Sequence, residues 1–235
     1  MKGCGITLLL QQLFSILTVS TTLLANGMYT AMPDKDINGE IFLANRSHPM
    51  SKNYVPQTRV VDAHGMRQTM RHDAAEALEN LLNAAKEDGI VVSVVSGYRS
   101  YSKQATIYER KVETMGSVEK ADTLSARAGT SEHQLGMAMD VAQKNSSSLN
   151  SAFGKTEEGK WVYKNAHKFG FIVRYMEGFE SVTGYNYEPW HIRYVGIPFA
   201  TAIYESAVPM ETFVSAYRLE IYDYLIQSKN DEVFK

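Results

Sequence analysis

Ser131-Glu-His-Gln-Leu-Gly-Met-Ala-Met-Asp140 sets two demands against each other. Met137 to Val141 is short, apolar and strand-like, yet Asp140 stands inside it. A carboxylate in an apolar run needs compensation for its lost hydration. Either backbone amides or an arginine partner it as a structural residue, or it ligates a metal cation. Gly136 permits a tight turn or a close backbone approach, so that His133 and Asp140 can face one point.

Outward from this stretch the chain alternates between periods. Met70 to Asp88 reads as a helix, with Ala74, Ala77, Leu78, Leu81, Leu82 and Ala85 on one face and Gly89 as its stop. Ile90 to Val95 reads as a buried strand, and Ser100 caps a second helix carrying Gln104, Ile107 and Tyr108. The polar stretch up to Gly129 reads as helix and loop, and Asn145 to Ser151 as a surface loop. A helix is expected near Glu158 to His167, then strands at Phe171 to Tyr175 and Glu188 to Val195. Helices at Phe199 to Ser206 and Met210 to Ile226 close the chain. Strands and helices intermix without a βαβ rhythm, which predicts an α+β fold with a small antiparallel sheet flanked by helices. Residues 28–60 read as irregular and 61–235 as the functional domain, with no internal repeat.

The 235 residues suffice for one sizeable core. A hydrophobic fraction of 44% and a charged fraction of 21% are those of a globular protein. The net charge of -2 gives no electrostatic case for nucleic acid or an anionic membrane surface. Residues 1–27 differ: Lys2 is the only charge before the apolar, hydroxyl-rich run Ile6 to Ala25, and Ala25-Asn26-Gly27 is a small-x-small site. This reads as a secretory signal peptide or an uncleaved membrane anchor, and either would put the body of the protein outside the cytoplasm. The single cysteine, Cys4, lies within that segment. The body therefore has no thiol for a disulfide, a nucleophile or a metal ligand, and any catalytic metal must be held by His, Asp or Glu.

Two of the six histidines sit in unusual company: His133, already met, and His191 in Glu188-Pro-Trp-His-Ile-Arg-Tyr194. If His191 joins His133 and Asp140 from a later strand, two imidazoles and one carboxylate leave a fourth position open, as in a catalytic zinc site. Glu188, three residues before His191 with Pro189 between them, is then close enough to act as general base and acid. Its alternative is a surface carboxylate beside a structural Trp190. Ser96-Gly-Tyr-Arg-Ser100 ends a buried strand; Arg99 is either an exposed turn residue or a guanidinium that grips a substrate carboxylate in bidentate fashion. Ser131 can supply a hydroxyl to the same substrate end.

Together, Ser96-Gly-Tyr-Arg-Ser-Tyr-Ser-Lys-Gln104, Ser131 to Asp140 and Glu188 to Gly196 resemble the VanY-type D-alanyl-D-alanine carboxypeptidases. These are zinc peptidases that include D,D-dipeptidases and L,D-carboxypeptidases. Phe169 to Tyr175 matches the approach to the last motif, and the resemblance covers roughly residues 40–225. It implies the small Hedgehog/DD-peptidase-like fold and one zinc per chain on His133, Asp140 and His191. It also implies Glu188 as catalytic base and acid, and Arg99, Ser131 and Gln104 as substrate-binding residues. One departure is Ala128-Gly129, where many relatives have Pro-Gly. The implied reaction removes a C-terminal D-alanine from peptidoglycan stem peptides or precursors, with a D,D bond expected and an L,D bond the alternative. A non-catalytic zinc-dependent wall-binding module is a second class, weakened by the presence of Glu188. A non-haem iron site is a third, weakened by the six residues between His133 and Asp140.

Overall fold

The computed structural model describes residues 39–63 and 66–233 of the chain; the leader read in residues 1–27 lies outside them. The chain opens into a hairpin of β1 (Thr58–Ala63) and β2 (Met66–Arg71), paired antiparallel. Helix α1 (His72–Glu87) follows directly. The helix thus starts two residues later than its periodicity suggests. Met70 and Arg71 carry hairpin hydrogen bonds, and Met70 is buried by β2 and not by the helix. Next come β3 (Val92–Ser96), α2 (Tyr101–Met115), the short α3 (Val118–Asp122) and a 3₁₀ turn over Glu132–Leu135. Then follow β4 (Ala138–Gln143), a 3₁₀ turn at Ser151–Lys155, α4 (Glu157–Asn165) and β5 (Phe171–Tyr175). A one-turn α5 (Glu180–Thr183), β6 (Glu188–Tyr194), α6 (Ile197–Ser206) and the 24-residue α7 (Met210–Val233) complete the order.

The main sheet is antiparallel in the order β3-β4-β6-β5, which gives the expected α+β architecture. Successive side chains on a strand point to opposite faces, so each strand contributes to two environments. On one face Val92, Val94, Met139, Val141, Phe171 and Ile192 pack on α1 through Ala74, Ala75, Leu78, Leu81 and Ala85. Fully burying a leucine of this kind stabilises the fold by about 1.5–3 kcal/mol. The opposite face carries Asp140, His191, Arg193 and Arg174, all buried.

Beside that second face a separate core joins Ile172 to α6 and α7 through Phe199, Ile203, Met210, Phe213 and Tyr217. Ile41 and Leu43 belong to it, and Phe42, Ala44 and Met50 pack with Leu135 and Met137. The stretch before β1 is irregular in trace, yet its apolar side chains are part of the interior. Among the described residues no helix is long and apolar enough to cross a membrane.

Candidate metal centre and cleft

Strand register brings the chemistry together. Asp140 on β4 pairs directly with His191 on β6, and Ser96 on β3 pairs with Asp140 from the other side. Two irregularities in pairing flank this point, between Val94 and Ser96 and between Val173 and Tyr175. Such bulges bend a strand and re-aim its side chains, and they recur beside functional sites. The first turns the end of β3 so that Arg99 meets Asp140; the second sets Tyr175 opposite Glu188.

His133 comes from the 3₁₀ turn before β4. Gly136 ends that turn at φ +72°, and Arg71 donates its backbone N–H to the Gly136 carbonyl at 2.8 Å. A Cβ there would stand 3.1 Å from the Arg71 nitrogen, so the positive φ and the close approach together favour glycine. Gly97 is tighter still: a Cβ would lie 2.3 Å from the Thr69 carbonyl oxygen. That glycine's own carbonyl receives His133 Nδ1 at 2.7 Å.

His133, Asp140 and His191 are buried, and one ligand atom from each lies within 4.8 Å of the others. His133 Nε2 is 3.3 Å from Asp140 Oδ2, and His191 Nδ1 is 3.1 Å from Asp140 Oδ1. The rings meet edge to face at 4.9 Å. Two imidazole nitrogens and one carboxylate oxygen, withdrawn from water and converging, form a donor set suited to a single zinc ion with a further position open. The residues present therefore fit such a group.

The electrostatics are those of a concentrated charge cluster. Burial would raise the Asp140 pKa, but His133 and His191 overrule it and hold the carboxyl far below its usual range. Burial and the neighbouring Arg99 push His133 down to about 4. Burial acts on His191 in the same direction, yet its hydrogen bonds to Asp140 and Glu132 carry it up to about 9. Desolvation in the cleft pushes the Glu188 carboxyl up to about 7. A carboxyl so shifted can exchange protons near neutrality.

These groups open into a cleft of about 330 Å³ that Arg99, Gln104, Ser131 and Glu188 also line. The size suits the end of a small peptide. Arg99 donates from Nη2 to Asp140 at 2.5 Å, from Nε to Ser96 at 2.8 Å and from Nη1 to Gln104 at 3.5 Å. An arginine partner for Asp140, one of the structural compensations open from the sequence, is thus present beside the two histidines. Gln104 is buried and donates to the Ala126 carbonyl at 2.6 Å, tying α2 to the cleft wall. Ser100 caps α2 by accepting the Lys103 N–H at 3.2 Å, as its position before the helix suggests. Trp190 lines the same cleft beside Glu188, whose carboxyl is desolvated there and is not the surface group of the alternative reading.

Sequence reasoning missed a layer behind these residues. Glu132, fully buried, pairs with Arg174 at 2.8 Å, Arg193 at 2.9 Å and His191 at 3.3 Å. Arg174 also grips Glu211 of α7 through both terminal nitrogens, at 2.8 and 2.6 Å. The signal was available: Arg174 and Arg193 interrupt apolar strands just as Asp140 does.

Comparison with known proteins follows the same lines. The family described as D-alanyl-D-alanine carboxypeptidase, VanY, matches residues 67–197. The putative carboxypeptidase YodJ of Bacillus subtilis is 40% identical over 179 residues, covering 73% of this chain and 65% of the relative. The chain spans about 65% of the length of this relative and of a D-alanyl-D-alanine carboxypeptidase from Enterococcus faecalis that is 35% identical. Among solved structures, the LdcB LD-carboxypeptidase is similar at 38% identity and a TM-score of 0.71, covering 78% of this chain and 87% of that one. The vancomycin-resistance D,D-pentapeptidase VanY in complex with Zn(II) is 34% identical with a TM-score of 0.65, covering 74% and 98%.

Proposed function

Because the chain belongs to the VanY D-alanyl-D-alanine carboxypeptidase family, we propose that it is a zinc-dependent carboxypeptidase that removes a C-terminal D-alanine from peptidoglycan peptides outside the cytoplasm. The observation that carries this reading is the convergence of His133, Asp140 and His191 in a cleft that also holds Glu188. In this reading those three residues hold one zinc ion. Bound there, zinc supplies a Lewis acid that acidifies water and polarises the scissile carbonyl.

The chain's own residues do the rest. The Glu188 carboxylate takes a proton from the attacking water and returns it to the amine nitrogen of the departing D-alanine. The new C–O bond forms first; the peptide C–N bond then breaks as its nitrogen is protonated, leaving a carboxylate on the shortened peptide. Arg99 and Ser131, which line the cleft, would bind the substrate carboxylate and its neighbouring amide, with Gln104 beside the Arg99 guanidinium. The similarity to VanY favours a D,D bond, and the similarity to LdcB favours an L,D bond. Terminal D-alanine is common to both. The N-terminal segment 1–27 would export the chain or attach it to the membrane.

The test compares wild type with Glu188→Gln on muramyl tetrapeptide and pentapeptide by mass spectrometry. Loss of one alanine with wild type, abolished in the variant, is expected, and the peptide that shortens names the bond. Trimming by Glu188→Gln at the wild-type rate would remove Glu188 from the mechanism.

A further inference from the structure

Glu132 lies between Ser131 and His133 in the chain, yet its side chain reaches the other histidine. Its Oε1 accepts from Arg174 Nε at 2.8 Å and Arg193 Nη1 at 2.9 Å, and its Oε2 stands 3.3 Å from His191 Nε2. A carboxylate held by two guanidiniums acts only as an acceptor. The Gly97 carbonyl, 2.7 Å from His133 Nδ1, is likewise only an acceptor. To ligate a cation each imidazole must be neutral, and its one remaining proton then goes to the nitrogen whose acceptor lies outside the ligand set: Nε2 in His191, facing Glu132, and Nδ1 in His133, facing the Gly97 carbonyl. The lone pairs that remain are Nδ1 of His191 and Nε2 of His133. These are the two nitrogens beside Asp140, at 3.1 and 3.3 Å.

We propose that Glu132 is the positioning residue of the metal centre, pinning His191 so that it offers Nδ1 to the cation while His133 offers Nε2. The inference rests on the reading of His133, Asp140 and His191 as metal ligands. Glu132 suits the task because its own position is determined from several sides. Arg193 donates to the carbonyls of Glu40 and Phe42 at 3.0 Å, and Arg174 is clamped by Glu211 in the first turn of α7. Groups that orient a ligating histidine in this way commonly change metal affinity about 10–100-fold when removed.

The test uses the full-length chain labelled with ¹⁵N-histidine, with and without one equivalent of zinc. Long-range ¹H–¹⁵N correlation spectra distinguish the two ring nitrogens. On adding zinc, two rings shift, one at Nδ1 with Nε2 protonated and the other with the pattern reversed. Two shifted rings of the same pattern overturn the inference while leaving the ligand set intact. Failure of zinc to shift any ring overturns the ligand reading itself. Because it uses wild type, this spectrum needs no variant to fold. In Glu132→Gln, zinc affinity measured against a chromophoric chelator falls about 10–100-fold, and Glu132→Asp, which keeps the charge, recovers part of the loss. A folded Glu132→Gln with wild-type affinity would also overturn the inference.

Discussion

The two faces of the β3-β4-β6-β5 sheet are made by the same strands and held together by opposite physics. Toward α1 the side chains are Val94, Met139, Val141 and Ile192, whose contacts are non-directional and individually replaceable. Toward α7 they are Asp140, His191, Arg193 and Arg174, where every charge has a specific partner at a specific distance. Burying such charges gives little net stability over an apolar core, but removing one partner is costly because the other is left uncompensated. The apolar face therefore supports the fold, and the charged face gives up tolerance to hold ionisable groups dry and oriented.

Substitutions separate the two roles. The largest effect is expected from Glu188→Gln, which lowers peptide turnover about 10²–10⁴-fold. Its effect on stability runs the other way. With the carboxyl raised from 4.5 to about 7 in the folded chain, ionised Glu188 opposes folding progressively between those values and fully above about 7. Melting at pH 8 should show the variant at least as stable as wild type, and a lower melting temperature there would contradict this. The same shift predicts that activity falls on the acid side as Glu188 takes up its proton, at or below pH 7, since a bound cation draws the carboxyl lower.

Arg193→Met comes next, with a loss of about 3–5 kcal/mol in denaturant unfolding, because Glu132 keeps only part of its compensation. Zinc retention should fall with it; a stability loss with unchanged retention would detach the network from the metal site. Leu81→Ala on the apolar face should cost about 2–5 kcal/mol yet leave turnover per folded molecule unchanged. If its turnover dropped as in Glu188→Gln, the faces would not be separable. Ser100→Ala should remove about 1 kcal/mol by uncapping α2, with KM affected only through Gln104 and Arg99.

The apolar face was the more legible one. Ala74, Leu78, Leu81 and Ala85 mark α1 by their spacing, and the apolar run Phe171 to Tyr175 coincides with β5. The hairpin was not, because β1 and β2 alternate weakly and Arg59, Asp62, Arg67 and Arg71 mask the period. Asp140 was legible as an anomaly, and the meeting of His133 with His191 followed from motif order, while their separation depended on register. Glu132 was hidden by its position next to His133, since nothing local says that its side chain reaches across to β6. Arg174 and Arg193 were readable by the argument applied to Asp140, but a lone arginine in a strand gives no hint of its partner.

The most direct test of the central claim is the mass of muramyl tetrapeptide and pentapeptide after incubation with the full-length chain, in three parallel samples: untreated, treated with a zinc chelator, and chelated with zinc restored. The account predicts loss of one alanine from at least one peptide, abolished by chelation and recovered with zinc. Loss that persists under full chelation, or no loss from either peptide with zinc demonstrably bound, would contradict it.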